Sequence, residues 1–154
     1  MHAHRLNAYE LAPAGIKTLQ AVEAYLHLTA LGPRLIELVK MRASQINGCA
    51  YCLDMHSKAP RRGGETEQRI YLLSAWRESP LYTPREQAAL AWTEAVTRVA
   101  DAHPSDAAYT ELRRHFDDKE VVDLTTLVGM INLWNRLAIS MGYAHPSETE
   151  DQAA

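Results

Sequence analysis

Two cysteines and a histidine with helical spacing are the residues of this chain best suited to chemistry. Cys49 and Cys52 are the only cysteines, and His56 follows Cys52 by four positions. Side chains three and four positions apart on a helix lie on one face, with Cβ atoms about 5 to 6 Å apart. Two thiols and an imidazole would then be in contact, which is the arrangement of a redox pair beside a proton acceptor.

The two cysteines are expected to differ in reactivity. The thiolate is the attacking form of cysteine, and both a helix N-terminus and a neighbouring imidazole lower a thiol pKa. Cys49 is closer to the expected helix start, but Cys52 lies one turn before His56. The imidazole of His56 offers a route for the thiol proton and also stabilises the thiolate electrostatically. We therefore favour Cys52 as the nucleophile and Cys49 as the thiol that closes the disulfide. If the preceding helix folds back, Glu37 lies within one turn of His56 and can orient its ring.

These residues resemble a known family signature. Four residues at three fixed spacings resemble the alkylhydroperoxidase AhpD-like proteins within the carboxymuconolactone decarboxylase superfamily: Glu37, Cys49, Cys52 and His56. The runs 42–49 (RASQINGC) and 132–136 (NLWNR) also resemble members of this family. The similarity covers about residues 20 to 142.

The resemblance implies a fold and an activity. It implies an all-helical homo-oligomer, often a trimer or hexamer, and an antioxidant peroxidase that uses peroxiredoxin-type chemistry on an AhpD-like fold. By position, Cys52 would be the peroxide-reactive thiol, Cys49 its partner in a redox-active disulfide, and Glu37 with His56 the proton relay. The reductant would be a lipoyl-bearing protein, with no cofactor and no metal.

The resemblance is incomplete at one position. Tyr51 stands where the best-known enzyme of the family has a second histidine, so the implied relay lacks that group. This departure predicts a weak peroxidase or a different substrate. The decarboxylase branch of the superfamily is disfavoured, because its members lack the cysteine pair.

Two other functions fit the same residues. One is a thiol-disulfide oxidoreductase that acts on lipoyl or protein partners, although the helical setting differs from the βαβ context of thioredoxin. The other is a non-enzymatic metal-binding module built from Cys49, Cys52 and His56. That alternative ranks last, because structural zinc sites usually take two ligands from each of two separated segments.

Composition narrows the class of protein and of partner. The 154 residues are 47% hydrophobic and 23% charged, which suits one globular domain. Apolar runs stay well short of the ~20 residues of a membrane helix, and a net charge of −3 without a basic block disfavours nucleic acid. The polar start of the chain, residues 1–6, does not resemble a secretory signal. We predict a soluble, cytoplasmic protein whose partners are small molecules or proteins.

Hydrophobic periodicity predicts a single all-α domain of about six to seven helices. The expected helices are about 14–29, 34–46, 49–58, 65–77, one from 84, one from 106 to about 115, and a long last one from Asp117 or Asp118. The expected ends are Gly32-Pro33, Asn47-Gly48, and Pro60 with Gly63-Gly64. A capping box at Thr83 and Glu86 and a cap at Ser105 mark two starts. The polar tail from Gly142 to Ala154 is predicted to be mobile.

Several other conspicuous residues are expected to be structural. The tryptophans, Trp76, Trp92 and Trp134, lie on apolar stripes and are assigned to the core or a subunit interface. Asn132 and Arg136 are expected to order the last helix. Arg61 and Arg62 are expected to be solvent-exposed charged residues in a loop. No role is predicted for the remaining histidines: His2, His4, His27, His103, His115 and His145.

Overall fold

The secondary structure is helical throughout the residues that the structure, a computed structural model, describes: 4–62 and 65–145. These residues form eight α-helices and one 3-10 segment, with no strand among them. The bounds are α1 Ala8–Leu11, α2 Pro13–His27, α3 Pro33–Asn47, α4 Ala50–Arg62, α5 Glu67–Leu72, the 3-10 segment Leu73–Glu78, α6 Pro84–Thr97, α7 Asp106–Arg113 and α8 Asp118–Met141. The all-α prediction is confirmed.

Helix starts lie where local capping signals predicted them. Thr83 and Glu86 form a reciprocal capping box at the start of α6. Asp117 forms another with Glu120 at the start of α8, and the Ser105 side chain accepts from the Ala108 amide at α7. Each cap satisfies amide groups that the first helical turn leaves without a partner.

Three helix predictions were wrong in detail. The helix count is eight rather than six to seven, because the single turn of α1, capped by Asn7, is too short to show a hydrophobic period. The expected helix 65–77 divides into α5 and the 3-10 segment, with Ala75 outside helical geometry. A 3-10 turn aligns residues three apart, which lets Leu73 and Trp76 enter the same core cluster. α4 continues to Arg62, past Pro60.

The core is built around α3, which packs against α4, α6 and α8. One cluster joins α2, α3, α6 and α8 through fully buried side chains such as Leu26, Ile36, Val39, Leu124 and Leu127. A second cluster contains Leu38, Met41, Leu73, Trp76 and Leu90. Because α3 is packed on several sides, the residues it contributes near its C-terminus are held firmly.

The long helix α8 carries the predicted apolar stripe from Val121 to Ala138 into this core. It ends at Gly142, which adopts the left-handed conformation, with φ 70°, that glycine tolerates best. Beyond it, Tyr143 packs onto the folded unit and its hydroxyl accepts from the Ala8 amide at 3.2 Å. The predicted mobile tail lies outside the described residues from 146 onward. Within the described part of the chain, no helix has the length and apolar character needed to cross a membrane.

Candidate functional site

A tight turn between α3 and α4 brings the cysteine pair into position. α3 ends at Asn47, and Gly48 follows in the left-handed conformation with φ 68°. The Cys49 amide then donates to the Ser44 carbonyl at 3.0 Å, which completes the helix end and reverses the chain. The predicted end at Asn47-Gly48 is confirmed.

Side-chain hydrogen bonds fasten this turn to α8. Nδ2 of Asn47 donates to Oδ1 of Asn132 at 3.0 Å and to Oδ1 of Asn135 at 2.8 Å. Nδ2 of Asn135 donates in turn to Oγ of Ser44 at 2.9 Å, and Arg136 donates to the Asn132 carbonyl. Asn132 and Arg136 therefore have the ordering contacts predicted for them. The C-terminal end of α3, which leads into the turn with the cysteines, is thereby fixed to α8.

Cys49 and Cys52 are joined by a disulfide, with Cα atoms 5.3 Å apart, and both residues are 1% exposed. Cys49 lies just before α4, because its carbonyl accepts from the Leu53 amide at 2.9 Å. Its sulfur accepts from the Cys52 amide at 3.3 Å. When the disulfide is reduced, this amide and the helix N-terminus stabilise a thiolate on Cys49.

Glu37 and His56 face each other across α3 and α4. Oε2 of Glu37 lies 2.9 Å from Nδ1 of His56, and His56 is 8% exposed. This contact places Glu37 where the fold-back of the two helices predicted it. A carboxylate at this distance orients the ring and leaves Nε2 as the nitrogen that can exchange a proton with a reacting group.

The surroundings of Glu37 favour its ionised form. Burial opposes ionisation and raises the pKa of Glu37, but the hydrogen bond with His56 and the electrostatic influence of His56, Lys40 and His27 outweigh burial. The pKa of Glu37 is therefore below its ordinary value. Because the carboxylate is ionised and cannot donate, Nδ1–H of His56 is the donor. His27, for which the sequence predicted no role, is one of the residues that lower the pKa of Glu37.

A pH-dependent stability difference should follow for Glu37→Gln. A carboxylate with a lowered native pKa contributes stability above its unfolded pKa and loses it as pH falls through the native value. We expect the variant to be about 1 kcal/mol less stable than wild type at pH 6.5, and the gap to shrink below pH 4.5. Urea unfolding midpoints at pH 6.5 and pH 3.5 measure this. A gap that is constant with pH would contradict the assignment.

A cavity of about 220 Å³ opens beside the cysteine pair. It is lined mainly by apolar and aromatic side chains, together with the reactive groups of Cys52 and His56. The full lining is Tyr9, Glu23, Lys40, Tyr51, Cys52, Met55, His56, Trp134, Ala138 and Tyr143. A small molecule held there would meet the cysteine and the imidazole together.

The aromatic wall of the cavity includes the residue that departs from the family pattern. The Tyr51 ring packs edge-on against Tyr143, with centroids 5.6 Å apart, and Tyr9 lies 6.5 Å from Tyr143. Burial, followed by the charges of Tyr51 and Tyr143, raises the pKa of Tyr9. Tyr51 therefore belongs to a cluster of three tyrosines at the cavity.

Sequence reasoning missed several residues of the cavity. Trp134, assigned to the core or an interface, packs against the first core cluster and also lines the cavity, where it donates through Nε1 to Glu23 at 2.9 Å. Lys40 could have been noticed, since it lies three positions after Glu37 and so on the same helix face. Glu23, Tyr9 and Tyr143 are distant in sequence from the motif, and no local signal marks them.

The donors of the metal-binding alternative, Cys49, Cys52 and His56, each have another partner in this structure. The two sulfurs bond to each other, and the imidazole bonds to a carboxylate. Among residues 4–62 and 65–145, no three histidine, cysteine, aspartate or glutamate side chains are grouped to hold a metal ion.

The chain is similar to known proteins over most of its length. The profile of the carboxymuconolactone decarboxylase family matches residues 13–95. The uncharacterized protein YdfG of Bacillus subtilis (strain 168) is 43% identical over 140 residues, which are 91% of this chain and 95% of YdfG. The sequence similarity thus extends through the motif and the last helix.

Solved structures share the fold. ATU0492 of Agrobacterium tumefaciens, a protein of unknown function for which a role as antioxidant defence protein AhpD has been suggested, is 46% identical with a TM-score of 0.91. The match covers 95% of this chain and all of that one. An uncharacterized peroxidase-related protein of Silicibacter sp. TM1040 is 26% identical with a TM-score of 0.79, over 93% of this chain and 75% of that one.

Proposed function

This chain is an AhpD-like member of the carboxymuconolactone decarboxylase family, and we propose that it is an antioxidant enzyme that reduces hydroperoxides through Cys49 and Cys52. One observation carries the proposal: Cys52 and the Glu37-oriented His56 open on the same small cavity. A nucleophile, an acid-base group and a space for substrate are therefore together. The suggested antioxidant defence role of ATU0492 and the peroxidase-related character of the Silicibacter protein support the same class of activity.

The reaction begins with the reduced pair. The Cys52 thiolate attacks one oxygen of the hydroperoxide, an S–O bond forms and the O–O bond breaks. Nε2 of His56 has taken the proton of the Cys52 thiol and gives it to the departing oxygen, which leaves as the alcohol, while Cys52 becomes a sulfenic acid. The Cys49 sulfur then attacks the Cys52 sulfur, its thiol proton goes to the departing hydroxide, water leaves, and the disulfide seen in the structure results. Glu37 accepts from Nδ1–H of His56 and so leaves Nε2 free to take up and return this proton.

The two cysteines have different surroundings that suit these two roles. Cys52 lines the cavity and so meets the substrate, whereas the Cys49 sulfur faces the Cys52 amide at the start of α4. A stabilised Cys49 thiolate is a good attacking group for the sulfenate and a good leaving group when the disulfide is reduced. This division supports Cys52 as the peroxide-reactive thiol.

We propose the class of substrate from the size and lining of the cavity. A cavity of about 220 Å³ with aromatic walls suits a compact organic hydroperoxide. Closing the cycle takes two electrons and two protons from an external dithiol, for which we propose a lipoyl-bearing protein. A homo-oligomeric assembly, as a trimer or hexamer, and a cytoplasmic location remain predictions.

A thiol titration tests the proposal directly. Fully reduced protein is expected to lose two thiols per chain after one equivalent of cumene hydroperoxide, with an intramolecular disulfide between Cys49 and Cys52 as the product. The double variant Cys49→Ser/Cys52→Ser is the matched control and should consume no peroxide. Unchanged thiols in the wild-type protein after this treatment would refute the peroxidase assignment.

Thiol-disulfide exchange with protein or lipoyl partners is the second candidate. The hydrogen bond from the Cys52 amide to the Cys49 sulfur favours it, because a stabilised leaving thiolate speeds disulfide exchange whatever oxidises the pair. Rates of oxidation by hydroperoxide and by oxidised lipoamide, measured on the same reduced protein, separate the two. A rate with lipoamide far above that with any hydroperoxide would favour exchange.

A further inference from the structure

A second ion pair lies at the cavity beside the Glu37–His56 pair. Nζ of Lys40 lies 2.6 Å from Oε2 of Glu23, and Lys40 is only 4% exposed. The other carboxylate oxygen of Glu23 accepts from Nε1 of Trp134 at 2.9 Å. Glu23 of α2, itself fixed by Trp134 of α8, thus holds the Lys40 ammonium of α3 away from bulk water.

The position of this pair is unusual for a structural ion pair. Lys40, Glu23 and Trp134 all line the cavity on which Cys52 and His56 open. Lys40 also follows Glu37 by three residues on α3, and its charge is among those that stabilise the Glu37 carboxylate. A buried ammonium therefore faces the space where negative charge develops on sulfur and on the departing oxygen.

We propose that Lys40, held in place by Glu23 and Trp134, is a positioning residue whose charge favours the thiolate form of Cys52. The inference rests on the proposed function in one respect, which is that Cys52 is the reactive thiol. A positive charge near a thiol in a water-poor cavity stabilises the thiolate more than the same charge does in water. Lys40 would supply charge at the site where the family's second histidine is replaced by Tyr51.

The other titratable groups around Cys52 determine how much a nearby cation affects ionisation of its thiol. They come from every element that borders the cavity: Tyr9 of α1, Glu23 of α2, Glu37 of α3, Cys49 just before α4, Tyr51 and His56 of α4, and Tyr143 after α8. The two carboxylates oppose formation of a thiolate. The Lys40 ammonium, which is paired with Glu23, offsets part of this effect.

Two substitutions at this ion pair should act in opposite directions. In a Cys49→Ser background, which leaves a single thiol, Lys40→Met removes the cation and leaves the Glu23 carboxylate. We expect the Cys52 thiol pKa to rise by about one unit, and alkylation by iodoacetamide at pH 6.5 to slow about tenfold. Glu23→Gln removes the opposing carboxylate and keeps the cation, so it should lower the thiol pKa and speed alkylation. Lys40→Arg keeps the charge, so its Cys52 thiol pKa and alkylation rate should stay near those of the Cys49→Ser protein.

Shifts of the Cys52 thiol pKa in opposite directions in the two variants distinguish an electrostatic role from a purely structural one. Both Lys40→Met and Glu23→Gln break the same ion pair, so a structural role predicts changes of the same sign. If Lys40→Met does not fold, as judged by circular dichroism, the Glu23→Gln and Lys40→Arg arms still decide the sign. A thiol pKa that is unchanged in Lys40→Met, or that rises in Glu23→Gln, would overturn the inference.

The test does not depend on peroxide turnover. Alkylation reports the thiolate whether or not the wild-type protein reduces hydroperoxides. Opposite shifts together with no peroxide reduction would leave the role of Lys40 standing and remove the proposed function. Peroxide reduction together with equal thiol pKa values in all variants would leave the proposed function standing and remove the role of Lys40.

Discussion

Replacing Cys52 with serine is expected to abolish hydroperoxide reduction, with a loss of at least about 1,000-fold in rate. A serine hydroxyl is not ionised near neutral pH and cannot form a sulfenic acid, so the first step has no nucleophile. The remaining thiol, Cys49, faces the amide at the start of α4 rather than the substrate. Consumption of cumene hydroperoxide in the presence of excess dihydrolipoamide measures the effect.

Cys49→Ser is the matched control, because it removes the other sulfur from the same turn. In the absence of added thiol, this variant should consume one equivalent of hydroperoxide and then stop, because a sulfenic acid forms on Cys52 without a thiol to resolve it. Mass spectrometry should find one added oxygen on the peptide that contains Cys52. If Cys52→Ser instead shows the single oxidation and Cys49→Ser shows none, the roles of the two sulfurs are exchanged.

Local signals predicted the helix boundaries that rest on local hydrogen bonds. Thr83 with Glu86 and the cap at Ser105 satisfy amides within their own first turns, so the sequence alone carries the information. The helix end at Gly48 is similar, because a left-handed residue is needed there and glycine takes that conformation readily. These boundaries do not depend on what packs against them.

Tertiary packing decided the boundaries that the sequence did not predict. The division of the expected helix 65–77 places Leu73 and Trp76 in one core cluster, and Nε1 of Trp76 reaches Glu94 of α6 at 2.9 Å. The short helix α1 lies near the end of α8, where the Ala8 amide meets Tyr143. Both features depend on partners far away in the chain, which hydrophobic periodicity does not reveal.

The candidate site likewise contains residues that local sequence signals could place and residues that they could not. Glu37 and His56 could be paired from the sequence, because they lie on consecutive helices joined by one tight turn and their distances from that turn are similar. Glu23 and Trp134 come from α2 and α8, and their contact with each other spans 111 positions. A family signature covers the residues that perform the chemistry but leaves out those that shape the cavity and its charge.

Replacing His56 with glutamine should slow hydroperoxide reduction about 100-fold while leaving both thiols in place. The imidazole is the group at the cavity best placed to protonate the departing oxygen, and loss of a positioned acid typically costs 10²- to 10⁴-fold. Glu37→Gln should cost less, about tenfold, because the ring remains but loses the carboxylate that orients it. Single-turnover oxidation of the reduced protein, followed by loss of free thiols, measures both variants.

The kind of hydroperoxide used distinguishes proton donation from a general disturbance of the site. A peroxide whose leaving alcohol is more acidic needs less protonation, so it should recover more of the lost rate in His56→Gln than in wild type. The same substrate should change Cys52→Ser little, because that variant lacks the nucleophile itself. An equal loss in His56→Gln for every leaving group would assign His56 to activation of the Cys52 thiol instead, and alkylation rates of the reduced variant would show the matching decrease in thiolate.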